Sequence, residues 1–225
     1  MTLKAVLFDL DETLFDRTGS LRHFLADQRK RFPALKRIAE QEYIDQFLLR
    51  DKRGRVSKST VYRELLRSLL PDFLDSSSAL HRDYESNFWR FAHAYPGMNE
   101  LFEQLGNARI RTGIVTNGEM HIQLRSLLAL DLDRIVNAYV ISEAENVRKP
   151  DLEIFKLAAD RLNVQPEECL FVGDSPISDI LGAQNSGMKA IWFPNGAIWP
   201  SNITGAPDGE IASLIEVIPL VRQWQ

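Results

Sequence analysis

The stretch most able to do chemistry is Asp9-Leu10-Asp11-Glu12-Thr13, close to the start of the 225-residue chain. Two carboxylates two positions apart in extended chain project to one side, and like charges held together repel unless a cation lies between them. A divalent metal is implied. Magnesium prefers hard oxygen ligands and keeps several waters, so one or two carboxylates plus a substrate phosphate would complete its shell. Three further stretches supply complementary groups. Thr116-Asn117-Gly118 sets a hydroxyl, an amide and backbone N–H groups where a strand gives way to a helix, a ready anion site. Lys149 precedes Pro150, and a helix expected to begin at Pro150 would leave the ammonium just outside its first turn. There it can pair with a phosphate and keep an attacking carboxylate ionised. Finally, Gly173-Asp174-Ser175-Pro176-Ile177-Ser178-Asp179 offers two acids five positions apart: Asp174 can reach the metal while Asp179 holds the loop.

Asp9 and Asp174 alone lie 165 positions apart, so a scaffold must gather these groups. Five short apolar segments read as strands covered on both faces: Ala5-Phe8, Thr112-Val115, Ala138-Ile141, Leu170-Val172 and Ala190-Phe193. Helical patterns at Met98-Leu105, Met120-Leu130, Leu152-Leu162 and Ile177-Ser186 alternate with them, which implies a doubly wound parallel α/β sheet. In such a sheet the carboxyl ends of the strands share one edge, and ligands bind in the crevice there. Three of the four stretches end strands and the fourth opens a helix, so all can converge.

Residues 16–95 interrupt this rhythm. They hold nothing strand-like, and their helical periodicity breaks at Pro33, Gly54, Pro71 and Pro96-Gly97, leaving room for three to four helices. The expected organisation is therefore a core domain of residues 1–15 and 96–225 with an inserted all-helical subdomain at 16–95. Charge divides the same way: residues 16–95 carry 16 Lys/Arg against 11 Asp/Glu, leaving 11 against 20 elsewhere. Two regions with different tasks are indicated. The tail from Asn195 to Gly209 reads as loop before a last helix near Ser213 to Val221.

The overall net charge of −4 argues against nucleic acid as the main partner. No apolar run approaches the roughly 20 residues of a spanning helix, so no membrane partner is expected. The lone cysteine, Cys169, fits a small core residue in a reducing cytoplasm. His121 reads as a helix-surface residue, and the basic run Arg50 to Lys58 as a solvated loop between helices.

Taken together, Asp9-x-Asp11-x-Thr13, Thr116-Asn117, Lys149-Pro150 and Gly173-Asp174-x4-Asp179 resemble the haloacid dehalogenase (HAD) superfamily, in the branch whose helical cap follows the first motif. The resemblance runs from Lys4 to Phe193, and four motifs in the correct order are far more specific than any one. It implies a Rossmann-like core of strand order 5-4-1-2-3, magnesium, and a phosphatase acting on a small phosphorylated metabolite through an aspartyl-phosphate. By that resemblance Asp9 is the nucleophile and Asp11 the general acid and base. Asp9, Asp174 and the Asp11 carbonyl hold the metal; Thr13, Thr116, Asn117 and Lys149 bind phosphate, and Asp179 supports them. Phe15-Asp16 and Thr116-Asn117-Gly118 are similar to nucleotidase-like members, pointing to a nucleoside monophosphate or similar monoester. Leu152 departs from relatives that carry a second proline there. A phosphomutase keeps the same core residues and stays open as an alternative. A dehalogenase typically lacks an acid at the position of Asp11, and a non-catalytic binding protein would have no need of the whole set.

Overall fold

The computed structural model describes residues 2–224. Its centre is a six-stranded sheet, β1 (Ala5–Phe8), β2 (Arg111–Thr116), β3 (Ala138–Ile141), β4 (Cys169–Gly173), β5 (Lys189–Trp192) and β6 (Gly209–Glu210), every neighbouring pair parallel. The order β3-β2-β1-β4-β5-β6 contains the expected 5-4-1-2-3 arrangement and adds a two-residue strand at one edge. β1 is central, pairing Phe8 with Ile114 on one side and Val172 on the other. All four of its side chains are buried, and they alternate between faces. Ala5 and Leu7 share one apolar layer with Ile154, Phe155, Ala158 and Phe171. Phe8 points the other way and meets Phe102 edge-on at 5.4 Å. Covering a side chain of this size contributes roughly 1.5–3 kcal/mol.

The helices of the sheet domain are α5 (Met98–Asn107), α6 (Met120–Ala129), α7 (Leu132–Ile135), α8 (Ser142–Glu145), α9 (Leu152–Arg161), α10 (Gly182–Asn185) and α11 (Val217–Trp224), numbered after the four helices of the inserted segment. Two expectations need correction. The helix after Lys149 begins at Leu152 and not at Pro150, because Asp151 has extended backbone (φ −61°, ψ 133°) and its N–H closes a turn onto Arg148 C=O. The helix expected over 177–186 opens as a wide turn, Pro176–Leu181, in which both Asp179 N–H and Ile180 N–H donate to Ser175 C=O. Only then does it tighten into α10. No helix among the described residues is long and apolar enough to cross a membrane.

The chain separates into two compact units, one built from residues up to Asp16 and from Ala94 onward, the other from Arg17–His93. The second holds α1 (Arg17–Arg31), α2 (Glu40–Asp51), α3 (Lys58–Leu69) and α4 (Ser77–Asn87), with short tightly wound segments at Pro33–Arg37, Pro71–Ser76 and Phe88–Phe91. Phe24 packs edge-on against Tyr84, Phe88 and Phe91 in its core. Gln28, fully buried, is saturated: its carbonyl accepts from the Tyr43 and Tyr62 hydroxyls, and its amide donates to Leu80 C=O and Asp83. Such a network fixes helix register because each unmade bond would cost about 1–3 kcal/mol. Within the basic run, buried Asp51 accepts from Arg17 at 2.8 Å, pairs with Lys58 at 2.5 Å and accepts from Gly54 N–H. The loop is thus organised around an acid rather than being wholly solvated.

Candidate active site

Strand register delivers the first two motifs to one edge. Asp9 is the first residue past β1, its N–H donating to Val172 C=O, and Thr116 ends β2 beside Ile141. Gly173 ends β4 beside Trp192, so Asp174 emerges at the same edge. The chain after Asp9 turns sharply: the N–H groups of Thr13, Leu14 and Phe15 all converge on Leu10 C=O, and Glu12 adopts φ +64°. Two residues that sequence reasoning passed over hold this turn. Asn195 donates its amide to Glu12 C=O, and Tyr95 donates its hydroxyl to Glu12 Oε2 at 3.1 Å. Burial and the adjacent Glu12 charge push the Tyr95 phenol well above its usual range, so it stays a donor.

At the centre, Lys149 Nζ lies 2.5 Å from Asp9 Oδ1 and 2.7 Å from Asp179 Oδ1, with only 2% of its side chain exposed. Burial alone would push the ammonium's pKa down, but Asp179 and Asp9 together outweigh it and hold it above the ordinary value. Asp9 shows the converse. Burial raises its pKa, Lys149 pulls it back, and the neighbouring Asp179 and Asp174 raise it again, leaving it well above the usual carboxylate range. Asn117 positions the lysine from behind, donating its amide to Lys149 C=O and accepting from Lys149 N–H, both at 2.9 Å. Its side chain therefore serves the motif beside it, and only its backbone is left for an anion.

Asp9, Asp174 and Asp179 each present a carboxylate oxygen within 4.8 Å of the others. Three acidic side chains crowd around one ammonium, and every donor they offer is a hard oxygen. That set fits a divalent cation such as magnesium. Gly173 makes the crowding possible, since a Cβ there would stand 2.5 Å from Asp179 Cβ. Asp179 Oδ2 accepts from Ser175 N–H at 2.9 Å, and Trp192 donates its indole N–H to Asp174 C=O at 2.8 Å, so both acid-bearing turns are pinned. Thr13, completely buried, donates to Asp9 Oδ2 at 3.3 Å, so its hydroxyl faces the acid. Asp11 and Thr116 are joined through Gln123, which no sequence signal marked. All eight residues singled out in the sequence lie in the core unit, linked by contacts among them or through Gln123. His121 stays on the surface beside Glu119, and Cys169 is buried with its thiol pushed up to about 12 by burial.

A parallel sheet whose edge gathers these acids, a buried lysine and a hydroxyl defines a class of hydrolase. The haloacid dehalogenase-like hydrolases match residues 3–187. The chain belongs to that family and is a phosphatase of it, a phosphoric monoester hydrolase. It is 31% identical to a glyceraldehyde 3-phosphate phosphatase of Pyrococcus furiosus, over 86% of this chain and 82% of that one. It is 26% identical to the human N-acylneuraminate-9-phosphatase, over 98% and 94% respectively. In fold it is similar to a putative HAD hydrolase, YfnB, of Bacillus subtilis solved with magnesium (TM-score 0.73, 24% identity, covering 98% and 99% of the two chains).

Proposed function

We propose that the chain is a magnesium-dependent phosphatase that removes phosphate from a small metabolite through a phosphorylated Asp9. The observation that carries this reading is the buried Lys149 bridging Asp9 and Asp179, with Asp174 completing an oxygen-only acidic group. Asp9 Oδ forms a bond to phosphorus in line as the bond from phosphorus to the leaving oxygen breaks. The electron pair goes to the leaving oxygen, which takes a proton from Asp11. In the second half Asp11 takes a proton from water, whose oxygen attacks phosphorus, and phosphate departs with Asp9 restored. Lys149, Thr116 and the Asn117 N–H cradle the transferring group. Asp9, Asp174 and the Asp11 C=O would hold Mg²⁺, which when bound neutralises the repulsion between nucleophile and phosphate.

Both relatives named above are named for phosphates on a terminal carbon of a small oxygenated skeleton. A nucleoside 5′-monophosphate shares that chemistry, so the substrate we propose is a primary-alcohol phosphate monoester. In this reading the helical unit Arg17–His93, rich in positive charge, is the part of the chain that selects the leaving group. The lone buried cysteine fits a cytoplasmic enzyme. The test is Asp9→Asn with an aryl phosphate and magnesium: activity falls to trace level and no acid-stable, base-labile phosphoprotein forms. Turnover near the native rate would remove Asp9 as nucleophile.

A further inference from the structure

Gln123 lies on α6, seven residues past Thr116 and far in sequence from Asp11, yet it is only 3% exposed. Its amide nitrogen stands 2.5 Å from Thr116 Oγ1 and 3.0 Å from Asp11 Oδ2. A buried amide carries two hydrogens that need acceptors, and these two oxygens, from different motifs, supply them. Gly118 permits the crossing, because a Cβ there would come 2.9 Å from Gln123 Cγ.

We propose that Gln123 is a positioning residue for proton delivery to the leaving group. By donating to Asp11 Oδ2 it turns the other carboxyl oxygen, which carries the proton, toward the ester oxygen. By donating to Thr116 Oγ1 it fills an acceptor site of that hydroxyl and directs the Thr116 proton outward to a phosphoryl oxygen. When the bond from phosphorus to the leaving oxygen breaks, its electron pair takes the Asp11 proton. The carboxylate charge that appears on Asp11 already faces the Gln123 N–H, so no reorientation is needed at that moment. This rests on Asp9 as nucleophile and Asp11 as acid.

The experiment compares wild type, Gln123→Met, Gln123→Asn and Asp11→Asn, all full length with magnesium. The substrates are p-nitrophenyl phosphate, phenyl phosphate and a primary alkyl phosphate. Plotting kcat/KM against leaving-group pKa isolates proton delivery, because nitrophenolate departs without a proton and an alkoxide does not. Methionine keeps the length and helix preference without a donor. Asparagine keeps the amide but is one methylene too short to span both acceptors. Each Gln123 variant is expected to lose about tenfold more on the alkyl ester than on the nitrophenyl ester, in the same direction as Asp11→Asn. A uniform loss across the esters in both Gln123 variants, alongside a steepened slope in Asp11→Asn, overturns the positioning role. An unchanged slope in Asp11→Asn removes the acid role of Asp11, and the proposal falls with it.

Discussion

Lys149→Met tests the charge balance on which the site depends. The ammonium is the strongest influence holding the Asp9 carboxyl down, and it sits within 2.7 Å of both Asp9 and Asp179 in a position closed to water. Methionine fills the space and leaves three carboxylates within 4.8 Å of one another without a compensating cation. Removing one partner of a buried ion pair costs about 3–5 kcal/mol. For a chain of this length 1 kcal/mol moves Tm by about 2–4 °C. In chelator, Lys149→Met should therefore melt roughly 6–20 °C below the wild type. Magnesium at about a hundred times its Kd adds about 2.7 kcal/mol to any folded state that binds it. The variant, having lost a positive charge beside the acids, binds the ion more tightly and gains more. Thermal melts of both proteins in chelator and in magnesium measure all four values. Phosphate release from an aryl ester should drop by about 10²–10³, the loss typical of a donor aimed at developing charge. A chelator Tm within about 2 °C of wild type, or an equal magnesium gain in both proteins, refutes the reasoning, since either means the lysine balances no buried charge.

Three other outcomes follow from the same geometry. Asp51 is held below its ordinary value of 3.8: burial pushes its carboxyl up, but Arg17 and Lys58 pull it down further. Such an acid stabilises the fold above its unfolded pKa, and that stability is lost as pH falls through the lower folded value. Asp51→Asn should thus cost about 3 kcal/mol at pH 7 in denaturant titrations, with the gap to wild type narrowing below about pH 4. Gly173→Ala places a methyl 2.5 Å from Asp179 Cβ, and overpacking there should cost about 1–3 kcal/mol and weaken activity; a wild-type melt would contradict it. Trp192→Phe keeps an aromatic ring beside Trp199 at its 5.2 Å contact but removes the donor to Asp174 C=O. It should raise the magnesium concentration for half-maximal activity by about tenfold, and an unchanged titration would sink that role.

The fold was legible where apolar runs met a sharp chemical boundary. Ala5–Phe8 ends on Asp9 and Ala138–Ile141 ends on Ser142, and both strands begin and end where the pattern places them. Where a loop is shaped by distant partners the local signal failed. Pro150 reads as a helix start, but Asn117 from the neighbouring strand end grips the Lys149 backbone and the turn onto Arg148 delays α9 to Leu152. β6, two residues long, carries no periodicity at all. Within the site, the acids, Lys149 and Thr116 announced themselves by residue type. Gln123 and Asn195 did not: a glutamine on a helix reads as surface, and an asparagine in a Pro/Gly-rich tail reads as a turn. Their partners lie 112 and 183 positions away, a distance only the folded sheet edge closes.

Gln123 also bears on which bond this hydrolase is built to break. A halide leaves carbon as a stable anion and needs no proton, so a dehalogenase gains nothing from a carboxyl oriented toward the leaving group. An alkoxide leaving phosphorus is strongly basic, and its departure depends on a proton delivered as the bond breaks. The core unit buries an amide whose hydrogens are matched to Asp11 and Thr116, and opens a gap at Gly118 to admit it. A buried amide without those partners would destabilise the fold by about 1–3 kcal/mol. Under the proposed mechanism, an amide placed there suits chemistry on an ester oxygen, with the leaving group rather than the nucleophile as the point at which phosphate esters and haloacids are told apart.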